Sequence, residues 1–164
     1  MSLRSTAAKL FSRLRDGNLL LVTAESLTGG LIGSAITAIP GSSAVFWGGV
    51  VVYSNSAKHA LLGVPEDLID SAGPVSAEVA SAMAVGALSC CENAVSLAVT
   101  GLAGPGGGTR DLPVGSVWIA AACSSMTGEP EVLVRLFHFS GSRSRIRRKT
   151  AGKAFALTLE LLDR

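Results

Sequence analysis

Short apolar stretches rich in Val and Ile alternate along the chain with segments whose hydrophobic positions recur every three or four residues. The first kind predicts strands at 18–23 (NLLLVT), 45–53 (VFWGGVVVY), 93–100 (NAVSLAVT), 115–123 (GSVWIAAAC) and 131–139 (EVLVRLFHF). The second predicts helices near 4–16, 26–38, 55–62, 65–71, 76–91 and 143–162. Leu3, Ala7, Leu10, Phe11 and Leu14 mark one buried face near the amino terminus, and Ile146, Ala154, Leu157 and Leu161 mark another in the last helix. Strands and helices in alternation favour a three-layer α/β/α sandwich. The last two strands are joined by SSMTGEP, which has turn residues and no room for a crossover helix, so they should form an antiparallel hairpin. The expected sheet is therefore five-stranded and mixed, mostly parallel with one antiparallel strand.

At 164 residues with 48% hydrophobic and 16% charged residues, the chain is expected to form a single domain over 1–164. A chain of this size buries roughly 70% of its unfolded surface, enough for a core without disulfides or structural metal. That apolar content excludes disorder. No apolar run reaches the roughly 18 residues of a membrane span, and the amphipathic amino terminus does not read as a signal peptide. A cytoplasmic protein is expected. Cys90, Cys91 and Cys123 lack metal-ligand spacing and read as buried thiols in a reducing compartment. His59 and His138 belong to no ligand motif, so no metal and no cofactor is expected. Charge is divided unevenly: 141–164 carries seven basic and two acidic residues, 1–140 seven basic and ten acidic.

In open α/β sheets ligands gather beyond the carboxyl ends of strands. Three segments occupy such positions. Thr23-Ala24-Glu25-Ser26-Leu27-Thr28-Gly29-Gly30 follows the first strand and opens a helix, where free N–H groups and the helix dipole favour an anion or oxyanion. Ser26 and Thr28 read equally as helix caps, and the spacing alone leaves cap and nucleophile open for Ser26. Tyr53-Ser54-Asn55-Ser56-Ala57-Lys58 leaves the second strand. Lys58 taken alone is a solvated charge, but if it points into a cleft, desolvation makes it a general base for a serine, with Tyr53 to orient it. Thr100 to Thr109 follows the third strand, and its five glycines, among them Gly101, Gly104, Gly106 and Gly107, allow a phosphate-cradling loop or a plain turn. Arg143, Arg145, Arg147, Arg148 and Lys149 open the last helix, where cations oppose the macrodipole and a nearby anion would offset the cost. A solvated basic face is the other reading for part of that cluster.

TAESLTGG, YSNSAK, VTGLAGPGGG, PVGSVW and FSGSRSRIRR, in this order, resemble the carboxyl-terminal domain of the CinA (competence/damage-inducible) family over nearly the whole chain. The resemblance implies a stand-alone nicotinamide-nucleotide amidase, an amidohydrolase acting on the linear carboxamide of nicotinamide mononucleotide to give nicotinate mononucleotide and ammonia. It also implies a role for each matching residue: Ser26 as nucleophile, Lys58 as general base, Tyr53 as orienting phenol, Thr100 as amide or ribose contact, and Arg143 as phosphate contact. Thr28, Gly29, Gly30, Gly101, Gly104, Gly106 and Gly107 are expected to surround the substrate, with N–H groups near Gly29 and Gly30 holding the oxyanion. Leu27 and Ser142 depart from the family pattern, which has a small residue or cysteine and an aspartate there. The expected partner is a small molecule, with no nucleic acid and no membrane, and self-association into a homo-oligomer is expected. Two other readings follow from the same features: a non-catalytic nucleotide-binding regulatory module, and a DNA-associated competence factor resting on the family name and the basic tail.

Overall fold

The computed structural model describes residues 2–125 and 128–164; Met1, Met126 and Thr127, and with the last two part of the predicted 124–130 turn, lie outside the described residues. The chain runs α1 (Leu3–Asp16), β1 (Leu20–Glu25), α2 (Leu31–Thr37), β2 (Phe46–Val51), α3 (Asn55–Leu62), α4 (Glu66–Ala72), α5 (Ala77–Leu88), β3 (Ala94–Gly101), β4 (Ser116–Cys123), β5 (Glu131–His138) and α6 (Arg143–Leu162). One five-stranded mixed sheet has the order β2-β1-β3-β4-β5.

The strand pairings divide evenly. β1 is parallel to β2 and β3, whereas β4 is antiparallel to both β3 and β5. The antiparallel β4–β5 pair and the single antiparallel strand were expected; the description as mostly parallel is inexact, since only two of the four pairings are parallel. A single reversed strand placed inside the sheet, rather than at its edge, makes two pairings antiparallel. β3 and β4 can pair this way because the glycine-rich connection between them contains no helix to carry the chain across the sheet.

Side chains of β3 and β4 alternate between two cores. Val95, Leu97, Val99, Val117, Ile119 and Ala121 share a cluster with residues of α1, α2 and α6. Ala94, Ala98, Ala120 and Ala122 point the other way, toward α5. Helices thus cover both faces. The alanine-lined face lets α5, itself rich in Ala, lie close to the sheet, and the buried Ser96 hydroxyl donates to Ala84 O at 2.6 Å. That contact fixes the helix against the strand and brings the Pro74–Ser76 segment near the end of β3.

Two predicted helices end differently in the structure. α2 begins at Leu31 instead of residue 26, because 26–30 forms a turn with Gly29 and Gly30 at positive φ. α5 ends at Leu88 instead of residue 91. Cys90 and Cys91 therefore lie in the connection to β3, and Cys123 is the last residue of β4. Cys90 is exposed, the other two are partly exposed, and all three are free, which corrects the expectation of buried thiols. Among the described residues no helix is long and apolar enough to cross a membrane, and no group of His, Cys, Asp or Glu could hold a metal ion.

Candidate active site

The sheet delivers three chain segments to one place. β1 leads to β2 on one side and, after α3 to α5, the chain returns as β3 on the other, so the carboxyl ends of β1, β2 and β3 enclose a crevice. Glu25 is in register with Val51 and with Val99. Past that row, Ser26 N–H donates to Val99 O at 3.2 Å and Val52 N–H to Glu25 O at 2.8 Å. Ser26 and Val52 therefore leave the sheet beside Thr100, near the end of β3. A cavity of about 270 Å³ opens there, and Ser26, Tyr53, Lys58, Thr100, Gly104 and Arg143 are among its lining residues.

Lys58 is among the largest buried side chains of the described residues, only 2% exposed. The Ser54 hydroxyl caps α3 by accepting from Ala57 N–H, and Lys58 sits in the turn that follows. Its Nζ donates back to Val52 O at 3.2 Å and to Tyr53 O at 3.4 Å. Among the described residues it has no carboxylate partner. Burial without a counter-ion pushes its pKa down from 10.5. An ammonium has three donors, and the two carbonyls use two of them. The Ser26 hydroxyl, also buried, makes no hydrogen bond among the described residues.

Tyr53 connects Lys58 to Arg143. Its carbonyl accepts from Lys58, and its phenol oxygen, on a side chain that leaves the residue 61% exposed, accepts from Arg143 Nη2 at 3.0 Å. Arg143 Nη1 donates to Gly104 O at 2.8 Å. Gly104 has φ +75°, and a Cβ there would meet Val114 Cγ1 at 2.5 Å, so the loop shape that presents this carbonyl requires glycine. Ser142 caps α6 by accepting from Arg145 N–H. Arg143 is thus held by a carbonyl and a phenol and keeps its charge unpaired at the cavity. Thr100 Oγ1 donates to Pro74 O at 2.7 Å, which leaves its lone pairs available.

The helix-capping role considered for Ser26 and Thr28 belongs to a residue that sequence reasoning passed over. The buried Glu25 carboxylate accepts from Gly30 N–H and Ile32 N–H at 3.0 Å each and from Gly33 N–H at 2.8 Å. An internal anion therefore occupies the α2 amino terminus. Gly29 N–H is committed as well, to Ser26 O at 3.1 Å. The amides of Gly29 and Gly30, expected to face an oxyanion, are thus bonded within the protein, and neither glycine lines the cavity; nor do Thr28 and Gly107. Thr28 is fully buried, with an unpartnered hydroxyl. Gly101, Gly104 and Gly106 do line it, together with Leu27, Asn55 and Leu102. Leu27 also packs into the core shared with α1, α2 and α6.

The cations opening α6 separate by function. Arg143 reaches the cavity, whereas Arg147 Nε and Nη2 donate to Leu27 O at 3.0 Å and Thr28 O at 2.6 Å. Lys149 Nζ donates to Ser140 O. These carbonyls offset the repulsion between like charges and the positive helix end. Arg145, Arg148, Lys149 and Lys153 line a separate, wider groove of about 990 Å³ between α1 and α6, which contains neither Ser26 nor Lys58.

The family model of the CinA C-terminal domain matches residues 3–162. A CinA-like protein of Geobacter metallireducens is 50% identical over 151 residues, covering 90% of this chain and 34% of that protein. One of Desulfotalea psychrophila is 53% identical over 131 residues, covering 80% and 30%. The chain spans about a third of the length of these curated relatives. The crystal structure of competence/damage inducible protein CihA from Agrobacterium tumefaciens superposes with a TM-score of 0.88 at 37% identity, covering 99% of this chain and 96% of that one. A competence-damaged protein (CinA) superfamily protein from Escherichia coli gives 0.87 at 32% identity, covering 98% and 90%. With the family model of the CinA C-terminal domain matching residues 3–162 and the same fold in both crystal structures, this chain belongs to the CinA family.

Proposed function

We propose that the cavity hydrolyses the carboxamide of nicotinamide mononucleotide, giving nicotinate mononucleotide and ammonia. The observation that carries this reading is the buried Lys58, without a carboxylate partner, lining the same small cavity as the Ser26 hydroxyl. A lysine with a lowered pKa holds a larger neutral fraction at a given pH than a free lysine does, and a serine activated by such a base is an acyl-transfer nucleophile.

In the first half-reaction the neutral Lys58 Nζ takes the Ser26 proton while Oγ bonds to the carboxamide carbon. The tetrahedral intermediate collapses by breaking the C–N bond. The departing nitrogen takes the proton from Lys58 and leaves as ammonia. Water, deprotonated by the same amine, then attacks the ester, and Ser26 recovers its proton as the carboxylate product leaves. The Val52 and Tyr53 carbonyls hold Nζ in place through both halves. Arg143 provides the charge for the substrate phosphate at the far side of the cavity, and its bonds to Gly104 and Tyr53 fix its direction. The backbone N–H groups of Ala103, Gly104 and Gly106 have no acceptor among the described residues and add donors beside it. Binding energy spent on the phosphate positions the carboxamide at Ser26.

Ammonia release from nicotinamide mononucleotide, compared with release from nicotinamide riboside, tests the reading. It requires release from the nucleotide and a much larger KM for the riboside. Saturable binding of the nucleotide without ammonia would replace it with the regulatory-module reading.

A further inference from the structure

With Gly29 and Gly30 amides occupied, the oxyanion of the proposed acyl transfer needs other donors. Two backbone N–H groups in the Ser26 turn, those of Leu27 and Thr28, have no acceptor among the described residues. Their directions follow from the carbonyls that precede them, because in a trans peptide plane the C=O and the following N–H point opposite ways. Ser26 O accepts from Gly29 N–H, which turns Leu27 N–H away from the inside of the turn. Leu27 O accepts from Arg147, which turns Thr28 N–H away from α6. Leu27 lines the cavity. Its amide also belongs to the residue directly after the nucleophile, the position that supplies one oxyanion donor in other serine acyl-transfer sites.

The geometry points to Arg147 as a positioning residue for this reaction: its guanidinium grips the Leu27 and Thr28 carbonyls so that the turn after Ser26 holds the Leu27 amide, at the cavity wall, toward the oxyanion. The planar fork suits two successive carbonyls, one taken by Nε and the other by Nη2. Arg147 thereby gains a function distinct from that of Arg143. Residues 143 and 147 share one face of α6, yet one holds substrate charge at the cavity and the other holds the backbone beside the nucleophile. This assignment rests on the amidase reading above.

The two positions separate kinetically. Arg147→Ala should lower kcat for ammonia release about 10- to 100-fold, the range reported for loss of oxyanion support lying at and above its upper end, with KM changed less than threefold. Arg147→Lys, which keeps the charge but not the fork, should recover only part of kcat, and 1-methylguanidinium should restore activity to Arg147→Ala. Arg148→Ala, on the same helix but facing the outer groove, should behave as wild type. Unchanged kcat in Arg147→Ala, full activity in Arg147→Lys, or a loss that tracks unfolding by circular dichroism and resists methylguanidinium would each overturn the assignment.

A second readout separates this assignment from the choice of substrate. A fluorophosphonate bonds to Ser26 Oγ as the P–F bond breaks, fluoride leaves and Lys58 takes the proton, all without a nicotinamide group. If wild-type protein releases no ammonia but is labelled at Ser26, and Arg147→Ala is labelled at least tenfold more slowly, the substrate reading fails and the assignment stands. Equal labelling rates in the two proteins would overturn it.

Discussion

Replacing Glu25 by Gln removes a charge while keeping the side chain's size, and its cost can be worked from three distances. One carboxylate oxygen accepts from Gly30 and Ile32 N–H at 3.0 Å, the other from Gly33 N–H at 2.8 Å. An amide has a single acceptor oxygen. In its better orientation it keeps the Gly30 and Ile32 bonds and sets its NH2 against the Gly33 N–H. One hydrogen bond to a charged group is then lost, about 1.5–3 kcal/mol, together with the favourable anion at a partly buried helix terminus, up to about 2 kcal/mol. These contributions overlap, since both describe the same charge facing the same amides, so a total of about 2–4 kcal/mol is expected. Glu25→Ala, which leaves all three donors unpaired, should cost more. Urea unfolding followed by circular dichroism at pH 7 measures both, and an unchanged m-value would confirm that the loss lies in stability. If both variants unfold within about 0.5 kcal/mol of wild type, the carboxylate does not hold the α2 terminus and the reassignment of the oxyanion donors loses its basis.

Perturbations at three other residues probe the site. Because burial lowers the Lys58 pKa below 10.5, kcat/KM should rise with pH through that lowered value and level off above it, and the limb should vanish in the residual activity of Lys58→Ala. The same shift means that the native protein binds fewer protons than the unfolded chain between the lowered pKa and 10.5. Stability should therefore rise with pH across that window, and Lys58→Met should melt above wild type at neutral pH by a margin that narrows as the pH increases. Arg143→Ala should raise KM for the mononucleotide roughly 10- to 150-fold, corresponding to about 1.5–3 kcal/mol of charge-assisted hydrogen bonding, while leaving KM for the riboside nearly unchanged in the same ammonia assay. Thr28→Val removes a buried hydroxyl that has no partner and should raise the urea midpoint, by about 1 kcal/mol of stability, with KM unaltered; a raised KM would return Thr28 to the substrate.

The order of helices and strands was legible because each alternation of apolar residues matches one element. The pairing of β3 with β4 was not read, although the reasoning that gave the β4–β5 hairpin applies equally to the helix-free glycine loop. Ser26, Lys58 and Thr100 could be singled out because each follows a strand, and strand ends meet at one edge of a sheet. What lay beyond local pattern was direction. Nothing in TAESLTGG states that Glu25 turns back onto the amides at the helix start, leaving the Ser26 hydroxyl without a hydrogen bond among the described residues. Arg147 looked like one of five cations, yet its spacing of four from Arg143 already placed the two on one face of α6. Which face meets the active-site turn is decided by the packing of α6 against β3 and β4, across residues distant in sequence.

The central claim is that Ser26 and Lys58 in this cavity break an amide bond. Ammonia release from nicotinamide mononucleotide, measured side by side for wild type, Ser26→Ala and Lys58→Ala at equal folded concentration, tests it most directly. The account predicts steady release by wild type and a loss of at least a thousandfold in each variant, with nucleotide binding retained. Wild-type rates in either variant, or no release by the wild type, would contradict it.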